Sequence, residues 1–347
     1  MKMHRVFRHV PAALALCGLA AAAPVAGQDR YDYFRADSVA LAVPQGAARD
    51  VVTLAAHFRA ALPGERDRAR AIYRWMVQNV AYDAELFFSG AVFPPAQDAE
   101  SVLRRRRGVC EGFSALFAGL ATQAGLQAAI VVGNAKAFDP DRPYRTQKHT
   151  WNAVRLEGEW RLLDASWGAG DILGREFVRR PREFFFDTPP AKLIWSHRPD
   201  DDRWQLLDRP LSAREFERLP FTHRDFWELG FPAELVFDAV AAEGFSGFAG
   251  VFTAPGHRVE ILEAPLNGRL VAGQEHTFRL RAPDADTIIV VSGERWQGLR
   301  REGDTFVGTA SLSASEMVVM IRYPDIPAGA IVLRYEGAAA GTLRRGR

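Results

Sequence analysis

"RRRRGVCEGFSALFAGLATQAG" occupies Arg104–Gly125. Within it, Phe113, Leu116, Phe117, Leu120 and Ala124 recur at three- and four-residue steps. That is the spacing of one face of an α-helix. Gly108 precedes the run and Gly125 follows it, so both ends of a helix are marked. Cys110 then sits at or next to the first turn. There, unpaired backbone N–H groups and the helix dipole favour a thiolate. They also offer an N–H to an oxyanion formed beside the sulfur. Glu111 opposes thiolate formation unless it points away. Cys110 is therefore a candidate nucleophile, weighed against the bland reading of a cysteine used as a small buried hydrophobe.

A thiol nucleophile needs a base, and the base needs an orienting partner. "HTWNAVRL" (149–156) and "EWRLLDASW" (159–167) alternate around Glu157–Gly158 and read as a β-hairpin. With a two-residue turn there, His149 faces Ser166, and Asp164 is its diagonal neighbour on the same face. Diagonal neighbours lie about 7–8 Å apart at the backbone, within reach of an imidazole and a carboxylate. A bulge in the hairpin would break this parity. Taken singly, a histidine beside Trp151 is a structural histidine and an aspartate at a strand end is a cap. Together with the thiol they form a candidate catalytic trio.

Upstream, residues 36–62 and "ERDRARAIYRWMVQNVAYD" (65–83) have helical spacing, with Trp75 on the apolar face. "PPAQDAESVLRRRRG" reads as a short helix begun by Asp98 or Ser101 and stopped by Gly108. Its four arginines suit a helix C-terminus and read as a solvated end. From Gln127 to Phe138 the period changes to that of a strand, followed by a turn-rich "DPDRP". "REFFFDTPP" (182–190) reads as a further strand ended by prolines, and Trp195–Phe231 as a mixed segment wrapping this first domain. From about Gly256 to Glu336, "HRVEILEAP", "EHTFRLRAP", "DTIIVVSG", "DTFVGTASL", "MVVMIRYP" and "AIVLRYEG" are short strands separated by turn residues. Their spacing predicts an all-β sandwich, with "FSGFAG" (245–250) as the linker before it.

The N-terminus carries Lys2, Arg5 and Arg8, then an apolar stretch, then small residues up to Gly27. That order predicts a signal peptide over residues 1–27 and an exported protein, periplasmic or extracellular, with no stable membrane span after cleavage. Cleavage removes Cys17 and leaves Cys110 as the one cysteine, an odd thiol in an oxidising compartment. The 347 residues, 48% hydrophobic with a net charge of +2, describe a globular protein of two domains and give no sign of a nucleic-acid binder. His57, His197, His223, His257 and His276 show no metal-ligand spacing, and no HExxH, CxxC or glycine-rich phosphate loop occurs. No cofactor and no metal is expected.

"GVCEGFSALFAGLATQAGL", "KHTWNAVRLEGEWRLLDASWG" and "IYRWMVQNVAYD" resemble the transglutaminase-like superfamily, a papain-related α+β fold. "FFFDTPPAKLIWSHRPDDDRWQLL" resembles its kyphoscoliosis peptidase-like branch. The resemblance runs from about Val51 to Gly230. It implies that the family's catalytic Cys, His and Asp fall on Cys110, His149 and Asp164, with Tyr82 as the candidate oxyanion helper. It gives "WSH" (195–197) no role. The expected architecture is a catalytic domain over residues 28–245 followed by an immunoglobulin-like β-sandwich over residues 252–340. The expected activity is that of a thiol peptidase, amidase or acyltransferase acting on a protein or peptide. The alternative is a non-catalytic scaffold that binds a protein partner through its β-domain.

Overall fold

Carboxylates in extended backbone start two of the N-terminal helices. Helix α1 is Phe34–Leu41, and α2 is Val51–Ala61, where Asp50 accepts from the Thr53 N–H at 2.6 Å. Helix α3, Glu65–Asn79, buries Ile72, Trp75 and Met76 at the spacing read from sequence. A two-residue strand β1 (Ala81–Tyr82) and helix α4 (Ala84–Ser89) follow. Helix α5 is Ala99–Arg105, capped by Asp98 through the Ser101 N–H at 2.9 Å. Gly108 does not stop α5, contrary to expectation. Arg106 does, in the left-handed region at φ 53°. Arg107–Gly108 is thereby freed to form strand β2, parallel to β1. Nor are all four arginines solvated: the Arg106 guanidinium lies 4.4 Å from the Trp75 ring and donates to Ala48 O.

Helix α6, Cys110–Gln123, packs Phe113, Leu116, Phe117 and Leu120 into a core shared with α2, α3 and α5. Beside it lies an antiparallel sheet in the order β5–β4–β3–β8, made of β3 (Gln127–Asp139), β4 (Arg142–Leu156), β5 (Glu159–Leu163) and β8 (His197–Pro199). Pairs such as Asn152↔Leu163 and Leu156↔Glu159 have the register expected from a turn at Glu157–Gly158. The ladder ends at Leu163, however, and Asp164–Ser166 does not continue it. Asp164 caps α7 (Ala165–Ala169) instead. A small hairpin, β6 (Gly170–Leu173) with β7 (Glu176–Arg179), comes next. Residues 183–187 are turns rather than the expected strand, and only Thr188 bridges to Leu162. Phe184, Phe185 and Phe186 stand at consecutive positions and all turn toward apolar cores, which a half-buried strand would not permit.

After α8 (Pro190–Leu193), β8 and a 3₁₀ turn come α9 (Ala213–Arg218), α10 (Arg224–Glu228) and α11 (Ala233–Ala241). The fully buried Lys136 ammonium of β3 donates to Phe216 O and Leu219 O, each at 2.6 Å. It thus places a cation on two carbonyls at the C-terminal end of α9. Burial pushes this lysine down to about 8. The remaining chain forms two largely antiparallel sheets. One contains Glu260–Glu263, Glu275–Arg281, Thr305–Ser311 and Arg300–Glu302. The other is built mainly from Ile326–Gly337, Glu316–Tyr323, Thr287–Ser292 and Arg295–Gly298. Phe278 and Leu280 of the first sheet, and Met317, Val319 and Ile321 of the second, alternate inward.

The computed structural model describes residues 31–338 apart from 92–93, 140–141, 242–244 and 255, so the expected signal segment over residues 1–27 lies outside the described residues. No helix among the described residues is long and apolar enough to cross a membrane. From Tyr33 the described residues form one compact unit. Trp195, Phe216, Phe226 and Trp227 do not wrap the first core. They belong to one apolar core with the two C-terminal sheets. In the stretch read as a linker, Phe248 packs 4.8 Å from the Phe226 ring and 5.8 Å from Trp195.

Candidate active site

Cys110 is the first residue of α6, with Val109 as an extended N-cap. The cap has no side-chain acceptor of its own; Gln97 Oε1 takes the Val109 N–H at 3.1 Å. Strand pairing ties this helix start to the end of α3, because Tyr82 pairs with Gly108 and Asp83 N donates to Gly108 O at 2.9 Å. The pairing brings the buried Tyr82 hydroxyl against the backbone N–H of Cys110. The thiol is free and half-buried, and Glu111 turns out to solvent. On the sheet side, Asn152 Nδ2 donates to Ser114 O of α6 at 3.1 Å and to Ala129 O of β3 at 3.3 Å, which fixes the helix to the strands.

His149 stands on β4 opposite Gly133 of β3. Its Nε2 meets Asp164 Oδ2 at 2.7 Å, and both residues are buried. With Nε2 so engaged, Nδ1 is left to face the thiol, whose ionised form His149 and Thr150 both favour. Asp164 Oδ1 accepts from Ser166 N (2.8 Å), Ser166 Oγ (2.7 Å) and Trp167 N (3.1 Å). The carboxylate thus caps α7 with one oxygen and faces the imidazole with the other. A second buried histidine, His197 of β8, reaches the same Oδ2 through Nε2 at 3.1 Å, and its Nδ1 lies 2.7 Å from Ser196 Oγ. Gly133 makes this convergence of two strands possible. A Cβ there would lie 2.2 Å from Arg198 O of β8 and 2.7 Å from the Trp151 ring that packs on both histidines.

The electrostatics follow from the geometry. Burial opposes ionisation of the Cys110 thiol, but the hydrogen bond and charge of His149, helped by Thr150, outweigh it and hold the thiol below its ordinary range. Burial likewise opposes charge on His149, and Asp164 overcomes it and raises the imidazole. Asp164 is held well below the usual carboxylate range against its own burial, by His149 first and His197 second. Burial lowers His197, and Asp164 only partly offsets this. Burial, and the neighbouring thiol after it, raise Tyr82, which keeps its phenolic proton.

Residues 52–165 match the family model of the transglutaminase-like superfamily. These residues form a transglutaminase-like domain. The kyphoscoliosis peptidase of Mus musculus is 35% identical over 175 residues, covering 47% of this chain and 25% of the relative. Hillarin of Drosophila melanogaster is 26% identical over 222 residues, covering 58% and 26%. The chain thus spans about a quarter of the length of these curated relatives. A solved structure described as a TGase shares 21% identity over 41% of this chain and 37% of its own, with a TM-score of 0.28.

Within the transglutaminase-like domain, Cys110, His149, Asp164 and Tyr82 are brought together. His197 joins them from beyond the matched residues. Sequence spacing could not find it, because no short-range pattern links residue 197 to residue 164. The only signal was its place in the "WSH" stretch. His149, Asp164 and His197 offer ligand-type atoms within 4.8 Å of one another. Each histidine nitrogen already faces Asp164 Oδ2 in a direct hydrogen bond, so the group is a hydrogen-bonded set centred on the carboxylate. A cavity of about 70 Å³ has Trp167, Phe185 and Ser196 in its wall; Cys110, His149 and His197 do not line it.

Proposed function

We propose that this protein is a thiol acyl-transfer enzyme acting on peptide or carboxamide bonds, with Cys110 as nucleophile, His149 as acid and base, and Asp164 as the group that orients His149. The supporting observation is the buried, fully hydrogen-bonded Asp164 facing His149, with the Cys110 thiol held below its ordinary range by that imidazole. Cys110 Sγ attacks the carbonyl carbon, and the π pair moves to oxygen. The Tyr82 hydroxyl, which faces the Cys110 N–H, would donate its own proton to that oxygen. Collapse of the intermediate expels the amine, which takes the His149 proton, and leaves a thioester. Water or a second amine then attacks the thioester, His149 takes up its proton, and the thiolate departs. Water gives a peptidase or amidase; an amine gives an acyltransferase.

Iodoacetamide labelling of the full chain against pH tests the reading. Wild-type Cys110 should react with a midpoint below that of a free thiol, about 8.5. His149→Ala should move that midpoint up, and Cys110→Ala should abolish labelling. Identical curves for wild type and His149→Ala, both at the free-thiol midpoint, would sink the catalytic reading and favour a scaffold. Export is part of the same proposal. N-terminal sequencing of protein from its native host should find a start after about Gly27, and an intact Met1 would contradict it.

A further inference from the structure

The proposed chemistry uses one nitrogen on Asp164 Oδ2, yet the structure supplies two. His197 Nε2 approaches the same oxygen as His149, at 3.1 Å. Because that nitrogen faces a carboxylate, it must carry the proton, and Nδ1 is then bare. Ser196 Oγ, 2.7 Å from the bare Nδ1 and 3.3 Å from Leu193 O, then donates its one proton to the nearer acceptor, Nδ1. The result is a chain running Ser196, His197, Asp164, His149, Cys110, in which the donors converge on the Asp164 carboxylate from both histidines.

We propose that Ser196 and His197 are positioning residues: His197, neutral and donating through Nε2–H, holds Asp164 Oδ2 toward His149 and blocks its protonation, and Ser196 fixes the His197 tautomer. The inference rests on the Cys110–His149–Asp164 reading and adds two residues to it. Three donors already satisfy Oδ1. With His149 and His197 on Oδ2, the carboxylate has five donors and no lone pair left for a proton. A neutral donor also leaves the full negative charge of Asp164 for the His149 cation, which a second imidazolium would compete for. The ionisable groups that act on His197 are Asp164 and His149, and burial together with the His149 charge keeps it neutral. Its placement is not incidental packing. Backbone pairing sets it opposite Ala135, one side-chain step along the same face from Gly133, which pairs with His149. Trp151 and Trp167 close over it at ring distances of 5.2 and 4.5 Å. Without the His197 donor, Asp164 becomes more basic, the shared proton moves away from His149, and the thiol loses the cation that ionises it.

Iodoacetamide labelling of the full chain against pH, with folding followed by circular dichroism, tests this on three variants. His197→Leu fills the space without a donor. It should move the labelling midpoint up and slow reaction below neutrality roughly ten-fold or more, the worth of a hydrogen bond to a charged group. His197→Gln retains an amide donor and should lie near wild type. Ser196→Ala should slow the reaction roughly two- to ten-fold, as for a neutral hydrogen bond. A His197→Leu profile matching wild type, or a Gln variant as impaired as Leu, overturns the proposal. If His197→Leu does not fold, Ser196→Ala decides, and a wild-type profile there overturns it. A wild-type protein with the profile of His149→Ala defeats the underlying triad instead, so the two failures are distinguishable.

Discussion

At the scale of single residues, the site works by setting partners' charges against burial. The ionised form of Asp164 is favoured in the folded protein. It therefore contributes stability above the ordinary carboxylate range, and that contribution is lost as pH falls through the depressed folded value. His149 is raised, so its contribution is present below the ordinary imidazole range and fades as pH rises through its folded value. Activity should accordingly be bell-shaped, with an acid limb set by the thiol and an alkaline limb set by His149. Asp164→Asn keeps the shape but presents an amide to His149 and favours the wrong tautomer. Turnover should fall by on the order of 10⁴-fold, the loss seen for this change in a serine triad, while alkylation of Cys110 slows much less. Parallel losses in the two assays would show that Asp164 acts only through the thiol.

At the scale of elements, three short features bring the residues together. They are the β1–β2 pair that sets Tyr82 beside Cys110, the N-cap of α7 that turns Asp164 inward, and the β3–β8 pairing that delivers His197. None is longer than a few residues, so none leaves a periodic trace in sequence. Gly133 is the position on which two of the strands depend. Gly133→Ala would force its Cβ into the backbone of β8 at 2.2 Å. Overpacking of this kind costs roughly 1–3 kcal/mol, and here neither obstacle is a flexible side-chain end. The variant should melt at a lower temperature and label more slowly at Cys110, because β8 carries His197. A lower melting temperature with unchanged labelling would separate the strand from the site. The same reasoning explains the misread "REFFFDTPP". Its aromatic run resembles a buried strand, but consecutive phenylalanines that all face apolar cores require turns.

At the scale of the molecule, the aromatic segment after β8 and the C-terminal sheets share one core, with Phe248 between Trp195 and Phe226 and Ile261 N donating to Leu229 O at 2.6 Å. Trp195 precedes Ser196 directly, so this core reaches the site. A chain ended at residue 245 should expose Trp195 and Trp227, with red-shifted tryptophan emission and a lower melting temperature than the full chain. Unshifted emission and an equal melting temperature would show that the two parts are independent. Sequence alone determined much of this protein: the helix that starts at Cys110, the hairpin register through Glu157–Gly158, six of the C-terminal strands and the α+β class. All of these are repeating patterns of apolar side chains or single turn residues, and such patterns are local. Tertiary structure decided the rest: the end of α5 at Arg106, the role of Asp164 as a helix cap, the turn of the Phe184–Phe186 run, and the arrival of His197. Arg106 on Trp75, Phe186 on Tyr73 and His197 on Asp164 find their partners far along the chain, and the inward turn of Asp164 depends on His149 and His197 facing it across strands, so no short-range pattern records these partners.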